Sequence, residues 1–204
     1  IGVKEVGNMP RTVKDPEERK AELLDTAMRL FAEKGYDNVS VRSVAREAGG
    51  APGLAYHYFD SKQRLFDAAI AYYAEECSEG MRAALDDRGL SLDEKLEGAI
   101  AAATDHSAFP HADSLHAENN GTLHDRLSLG ICEAVRPHMQ AALELDAARR
   151  GAPAGDAGLL ASMMVYACVG LASGPGMPDA AAADAARRYL GALVTEYRRG
   201  PSGR

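Results

Sequence analysis

The stretch SVRSVAREAGGAPGLAYHYFDSK, residues 40–62, decides the fold. Val41, Val44, Ala45 and Ala48 recur at helical spacing, Ser40 stands where an N-cap accepts a backbone N–H, and Gly49-Gly50 supplies the backbone freedom of a sharp turn. Pro52 then takes a first helical position, where a missing N–H is tolerated, and the run Gly53 to Phe59 carries Tyr56, His57 and Tyr58 before a new start signal at Asp60-Ser61. Two short helices across a glycine turn predict a helix-turn-helix, whose second helix enters the DNA major groove. Many helical hairpins share such residues and bind nothing, so spacing alone leaves the function open.

Outward from this stretch, every element reads as helix. Leu23, Leu24, Ala27, Leu30 and Phe31 form one stripe over Glu17 to Lys34, ended by Gly35, and make the support on which the helix-turn-helix packs. Residues 1–16 show no helical period and read as a flexible, weakly basic arm. On the other side, a helix of about Ser61 to Leu85 puts Leu65, Phe66, Ala69, Ile70 and Tyr73 on one face, with Asp60 and Gln63 at capping-box spacing. Further helices are expected from Leu92 to about Ser107, Thr122 to Arg149, Leu159 to Ala172 and Asp179 to Arg198. The apolar LLASMMVYACVGLA, residues 159–172, must be covered on more than one side.

From about Arg19 to Phe66, the sequence ELLDTAMRLFAEKGYDNVSVRSVAREAGGAPGLAYHYFDSKQRLF resembles the DNA-binding domain of the TetR (tetracycline-repressor) family of bacterial regulators. The pieces LFAEKGYDNVSV, the helix-turn-helix and YHYFDSKQRLF are specific together and weak apart. The reading is an all-α chain with a three-helix head at 17–60 and a ligand-binding and dimerisation domain at 61–199. The resemblance implies a homodimer, joined by its last two long helices as a four-helix bundle; the lack of a long apolar run gives the cytoplasm as the expected address. The resemblance also implies a palindromic double-stranded operator, usually repressed, and a small-molecule effector in the C-terminal domain that moves the connecting helix.

The candidate DNA contacts are Arg42, Pro52, Gly53, Tyr56, His57 and Lys62. Arg42 lies within reach of the phosphate backbone, Pro52 opens the second helix, and Gly53 lets its backbone approach DNA closely. The resemblance carries contact roles to Tyr56, His57 and Lys62, the last at a helix start whose free N–H groups also attract phosphate. Arg46 reads instead as a solvated partner of Glu47. Ala51 and Leu54 depart from the family pattern, which often has hydroxyl residues at these places, so two contacts are absent.

In the C-terminal domain, Leu127, Ile131, Met163 and Met164 are candidate pocket lining, with His106 or His116 as polar handles; each also reads as plain core. Tyr166, Tyr189, Leu190, Leu193 and Tyr197 are the candidate dimer contacts.

The net charge of −7 looks wrong for a DNA binder, but residues 1–62 carry 10 Lys/Arg against 10 Asp/Glu, whereas residues 63–204 carry 13 against 20. The acidity lies outside the reading head, where it discourages loose association with DNA. Cys77, Cys132 and Cys168 are odd in number and widely spaced, and read as buried thiols rather than as a disulfide or zinc framework. No apolar run reaches the ~20 residues of a membrane span. GxSxG, HExxH and GxxxxGK[ST] are all missing, so neither an enzyme, a cofactor nor a metal site is expected. Two other classes remain open: a DNA-architectural protein that responds to no ligand, and a helical metal-dependent enzyme using the histidines between 106 and 138.

Overall fold

The structure, a computed structural model, describes residues 15–50, 52–105, 112–115, 120–172 and 180–200. Among these residues all regular structure is helical: α1 Pro16–Lys34, a 3₁₀ turn Tyr36–Asn38, α2 Val41–Glu47, α3 Pro52–Tyr58, α4 Lys62–Asp86, α5 Leu92–Ala103, α6 Ala112–Leu115, α7 Gly121–Arg149, α8 Ala157–Ala172 and α9 Ala180–Arg199. None of the described helices is long and apolar enough to cross a membrane. Residues 1–14 of the expected arm, His106, His111 and His116 lie outside the described residues, whereas Asp15 and Pro16, at the arm's expected end, belong to the start of α1 because a capping aspartate and a proline suit its first positions.

Local chemistry sets the helix ends. Asp15 accepts from the Glu17 N–H ahead of Pro16, and Gly35 at φ +77° stops α1. Ser40 and Ser43 close a reciprocal capping box on α2, and Gly49 at φ +68° turns the chain toward α3. The start of α4 differs from expectation: Ser61, not Asp60, is its cap, accepting from the Arg64 N–H at 3.2 Å. Both residue types can cap, and the extended backbone at Ser61 (φ −148°, ψ 159°) decides between them. Ser91 and Glu94 box the start of α5, which ends at Ala103 where the Thr104 hydroxyl and N–H fold back onto the last carbonyls.

Two apolar clusters organise the chain. The first joins α1, α2, α3 and the upper part of α4 as far as Cys77, and it also takes in Leu115, Leu123 and Leu127. The second joins Met81 and Leu85 of α4 to α5, the rest of α7, α8 and α9. Both α4 and α7 therefore run through both clusters, and Ile131 packs against each. Small residues bring these helices close: a Cβ on Gly98 would meet that of Ala84 at 2.9 Å, and one on Gly130 would meet that of Ala74 at 3.1 Å.

Burial pushes the thiols of Cys77 and Cys132 up to about 12, so both stay protonated at neutral pH and are chemically quiet.

Candidate nucleic-acid interface

The helix-turn-helix is held from below and open above. Ala55 and Phe59 of the α3 segment are buried against Val41, Val44 and Ala45 of α2 and against α1. Gly53, Tyr56 and His57 face solvent, Tyr56 at 53% exposure, and a Cβ at Gly53 would meet nothing within 4 Å. The ring of His57 rests edge-on against Tyr58, whose hydroxyl donates to the Pro16 carbonyl at 3.2 Å and ties α3 to the start of α1. Pro52 is the first residue of α3, as expected.

Arg42 and Arg46 are exposed one turn apart on α2, and among the described residues neither makes an ion pair. The expected Arg46–Glu47 pairing does not occur. Glu47 is taken by Arg29 of α1 at 3.1 Å, which also holds Glu33 at 3.1 Å. The Glu47 carboxylate, next to Arg46 in the sequence, is thereby paired from behind, which leaves the exposed arginines free to meet phosphates.

Lys62 opens α4, and its ammonium donates to the Asp37 carbonyl at 3.2 Å while lying 4.2 Å from the centre of the Tyr36 ring. An ammonium has three donors, so the carbonyl aims Lys62 without exhausting it. Tyr36 in turn stacks on Phe31 and meets Phe66 edge-on, which fixes this platform to the core. Nothing local in the sequence signals this role for Tyr36, which depends on a contact 26 residues apart.

The other expected sites are not gathered in one place. Leu127 is buried in the first cluster, Met164 in the second, and Ile131 lies between them. Met163 stands outward at 53% exposure, because its neighbour Met164 takes the inward direction of α8. Among the dimer candidates, Tyr189 is 62% exposed, whereas Leu190 is 7% exposed and packs inside its own chain. Leu193 and Tyr197 are half-buried against the same cluster, and the Tyr197 hydroxyl donates to the carbonyls of Ala154 and Leu143. The Tyr166 hydroxyl donates to Glu133. Leu159, at 63% exposure one turn before Met163, adds an outward apolar residue that the sequence reading did not single out. Among the described residues no group of three or more histidines, cysteines or carboxylates could hold a metal.

A pair of short helices with one buried and one open face, flanked by an aimed lysine and by arginines that make no ion pair among the described residues, has the form of a helix-turn-helix DNA-binding head. The family profile for bacterial regulatory proteins of the tetR family matches residues 23–69. The chain is similar to the HTH-type transcriptional regulator BetI of Brucella anthropi, 36% identical over 77 residues that cover 38% of this chain. The match spans only 39% of the length of that relative. The fold is similar to that of the TetR family repressor AlkX from Dietzia, with TM-score 0.61, 17% identity and coverage of 89% of this chain and 98% of the other. It is also similar to a TetR-family transcriptional regulator from Streptomyces coelicolor, with TM-score 0.57, 21% identity and coverage of 88% and 97%. Over residues 23–69 the chain is therefore similar to the DNA-binding part of bacterial regulatory proteins of the tetR family, and its fold as a whole is similar to that of solved TetR-family structures.

Proposed function

We propose that this protein is a cytoplasmic repressor that binds a palindromic operator as a homodimer and is released by a small molecule. Residues 17–60 act as the reading head and 61–199 as the ligand and dimer domain. The observation that carries this reading is the exposed set Gly53, Tyr56 and His57 on a helix seated by Ala55 and Phe59, beside Arg42 and Arg46, which make no ion pair among the described residues. Phosphates would be met by Arg42, Arg46, Tyr56 and Lys62, and base edges by His57 with the backbone at Pro52 and Gly53.

The outward Leu159, Met163 and Tyr189 support a partner-facing surface on α8 and α9. Tyr166 fits its margin, while Leu190, Leu193 and Tyr197 serve the interior beneath it. The effector would bind in the C-terminal domain against α7, where Ile131 packs on both clusters.

The test is selection of a duplex from a random-sequence pool by the intact chain. The expected product is an inverted repeat whose half-sites lie about one helical repeat, ~34–36 Å, or a small multiple apart. Recovery of no enriched sequence, or of one without two-fold symmetry, would overturn the proposal.

A further inference from the structure

Asn120 stands at the N-cap of α7 but makes no capping bond there. An asparagine in this position ordinarily accepts from its own helix's N–H groups. Here the residue is buried, and its amide donates instead to the carbonyls of Ala32 at 2.7 Å and Ser114 at 2.6 Å. Ala32 belongs to the last turn of α1, where carbonyls have no partner within the helix. A side chain 88 positions away thus closes the end of the head's support helix.

Six residues on, Arg126 donates to Asp67 at 3.1 Å and lies 5.6 Å from the centre of the Phe66 ring. Asp67 also accepts from Gln63 at 2.8 Å, and Gln63 accepts from the Tyr36 hydroxyl at 3.0 Å. The Tyr36 ring carries the Lys62 ammonium, so a continuous polar path joins α7 to the lysine at the DNA face. Leu123 and Leu127, on the same turns of α7, are buried in the head's cluster, while Cys132, Val135 and Met139 belong to the body's. The lower part of α4 packs closely on α5, where Gly98 admits Ala84, and α7 itself lies close on α4 where Gly130 admits Ala74.

We propose that the first two turns of α7 set the angle of the head on the body, with Asn120 and Arg126 as positioning residues for α3 and Lys62. This rests on the reading of the head as the DNA-binding part and identifies how it is regulated. An effector that shifts α7 changes the head's angle through these contacts as well as through α4.

The test is hydrogen exchange on the intact chain, with no DNA present. Asn120→Asp keeps the shape but turns carboxylate oxygens toward two carbonyls; Asn120→Leu keeps the volume without either donor. Both should speed amide exchange in the last turn of α1 and the 3₁₀ turn by about tenfold or more, with α8 and α9 at wild-type rates. Arg126→Glu removes a half-exposed pair whose loss leaves the fold intact. It should speed the same amides about two- to fivefold, and adding Asp67→Arg should restore them. Affinity for the duplex selected by the wild type should fall about tenfold in Asn120→Asp. Wild-type rates in α1, or equal acceleration in every helix, would overturn the proposal, as would unchanged DNA affinity. A wild type that selects no duplex refutes the DNA reading instead, and the exchange pattern still decides the clamp.

Discussion

Tyr189 and Leu190 are neighbours in α9 with opposite surroundings, 62% and 7% exposed. Placing a charge at each separates assembly from folding. A tyrosine buries about 150–250 Å² when covered. Closing the exposed share of Tyr189 against a partner therefore removes roughly 90–150 Å², about 2–4 kcal/mol at about 25 cal/mol per Å². In a two-fold dimer the contact occurs twice. The total of about 4–8 kcal/mol corresponds to roughly three to six orders of magnitude in the dissociation constant. Tyr189→Glu should therefore yield a monomer in sedimentation equilibrium at micromolar concentration, with the wild-type helical signal in circular dichroism. Leu190→Glu should instead lose that signal, because an uncompensated buried charge costs about 3–5 kcal/mol, a large part of a domain's stability. A Tyr189→Glu protein that dimerises within threefold of wild type, or a wild type that is itself monomeric, would refute the reasoning.

The remaining predictions concern the head, the packing of α4 and acid stability. Lys62→Ala and Tyr56→Phe should weaken binding by a similar factor on all variants of the selected duplex, and Lys62→Ala should lower the salt slope by about one per subunit in a sodium chloride titration. An unchanged slope would remove the ammonium from the phosphate. Gly98→Ala sets a Cβ 2.9 Å from that of Ala84. Overpacking of about 1–3 kcal/mol should match or exceed the gain of about 1 kcal/mol from removing a helical glycine, so the urea midpoint should not rise. A clear increase would mean that α4 and α5 separate easily. Burial pushes the Asp146 carboxyl up, but hydrogen bonds from Arg198 and Arg150 together outweigh this and hold it below the usual aspartate range. With the folded value below the unfolded one, the stabilisation is present above the unfolded value of about 3.9 and is lost as pH falls through the folded value. The melting temperature of the wild type should fall more steeply below about pH 4 than that of Asp146→Asn, and parallel curves would contradict the arrangement.

The helix-turn-helix was legible because its signals are local. Ser40, Gly49 and Pro52 act within a few residues of themselves, and the structure uses each as the sequence suggests. Asp60 and Ser61 were ambiguous because both are capping types and only backbone geometry separates them. The two faces of α8 and α9 were harder still. An apolar run such as Met163-Met164 or Tyr189-Leu190 does not say which member faces inward, and the answer depends on where neighbouring helices lie. Asn120 and Arg126 gave no sign of their partners, since Ala32 and Asp67 are distant in the chain and neither pair belongs to a motif.

The central claim is that the exposed face of α3 reads a sequence. The most direct measurement is the affinity of the intact protein for the duplex it selects, set against a shuffled duplex of identical length and composition at the same salt concentration. The account predicts at least about a 10³-fold preference for the selected duplex, the lower end of the range for specific DNA-binding proteins. Affinities within threefold of each other would contradict it.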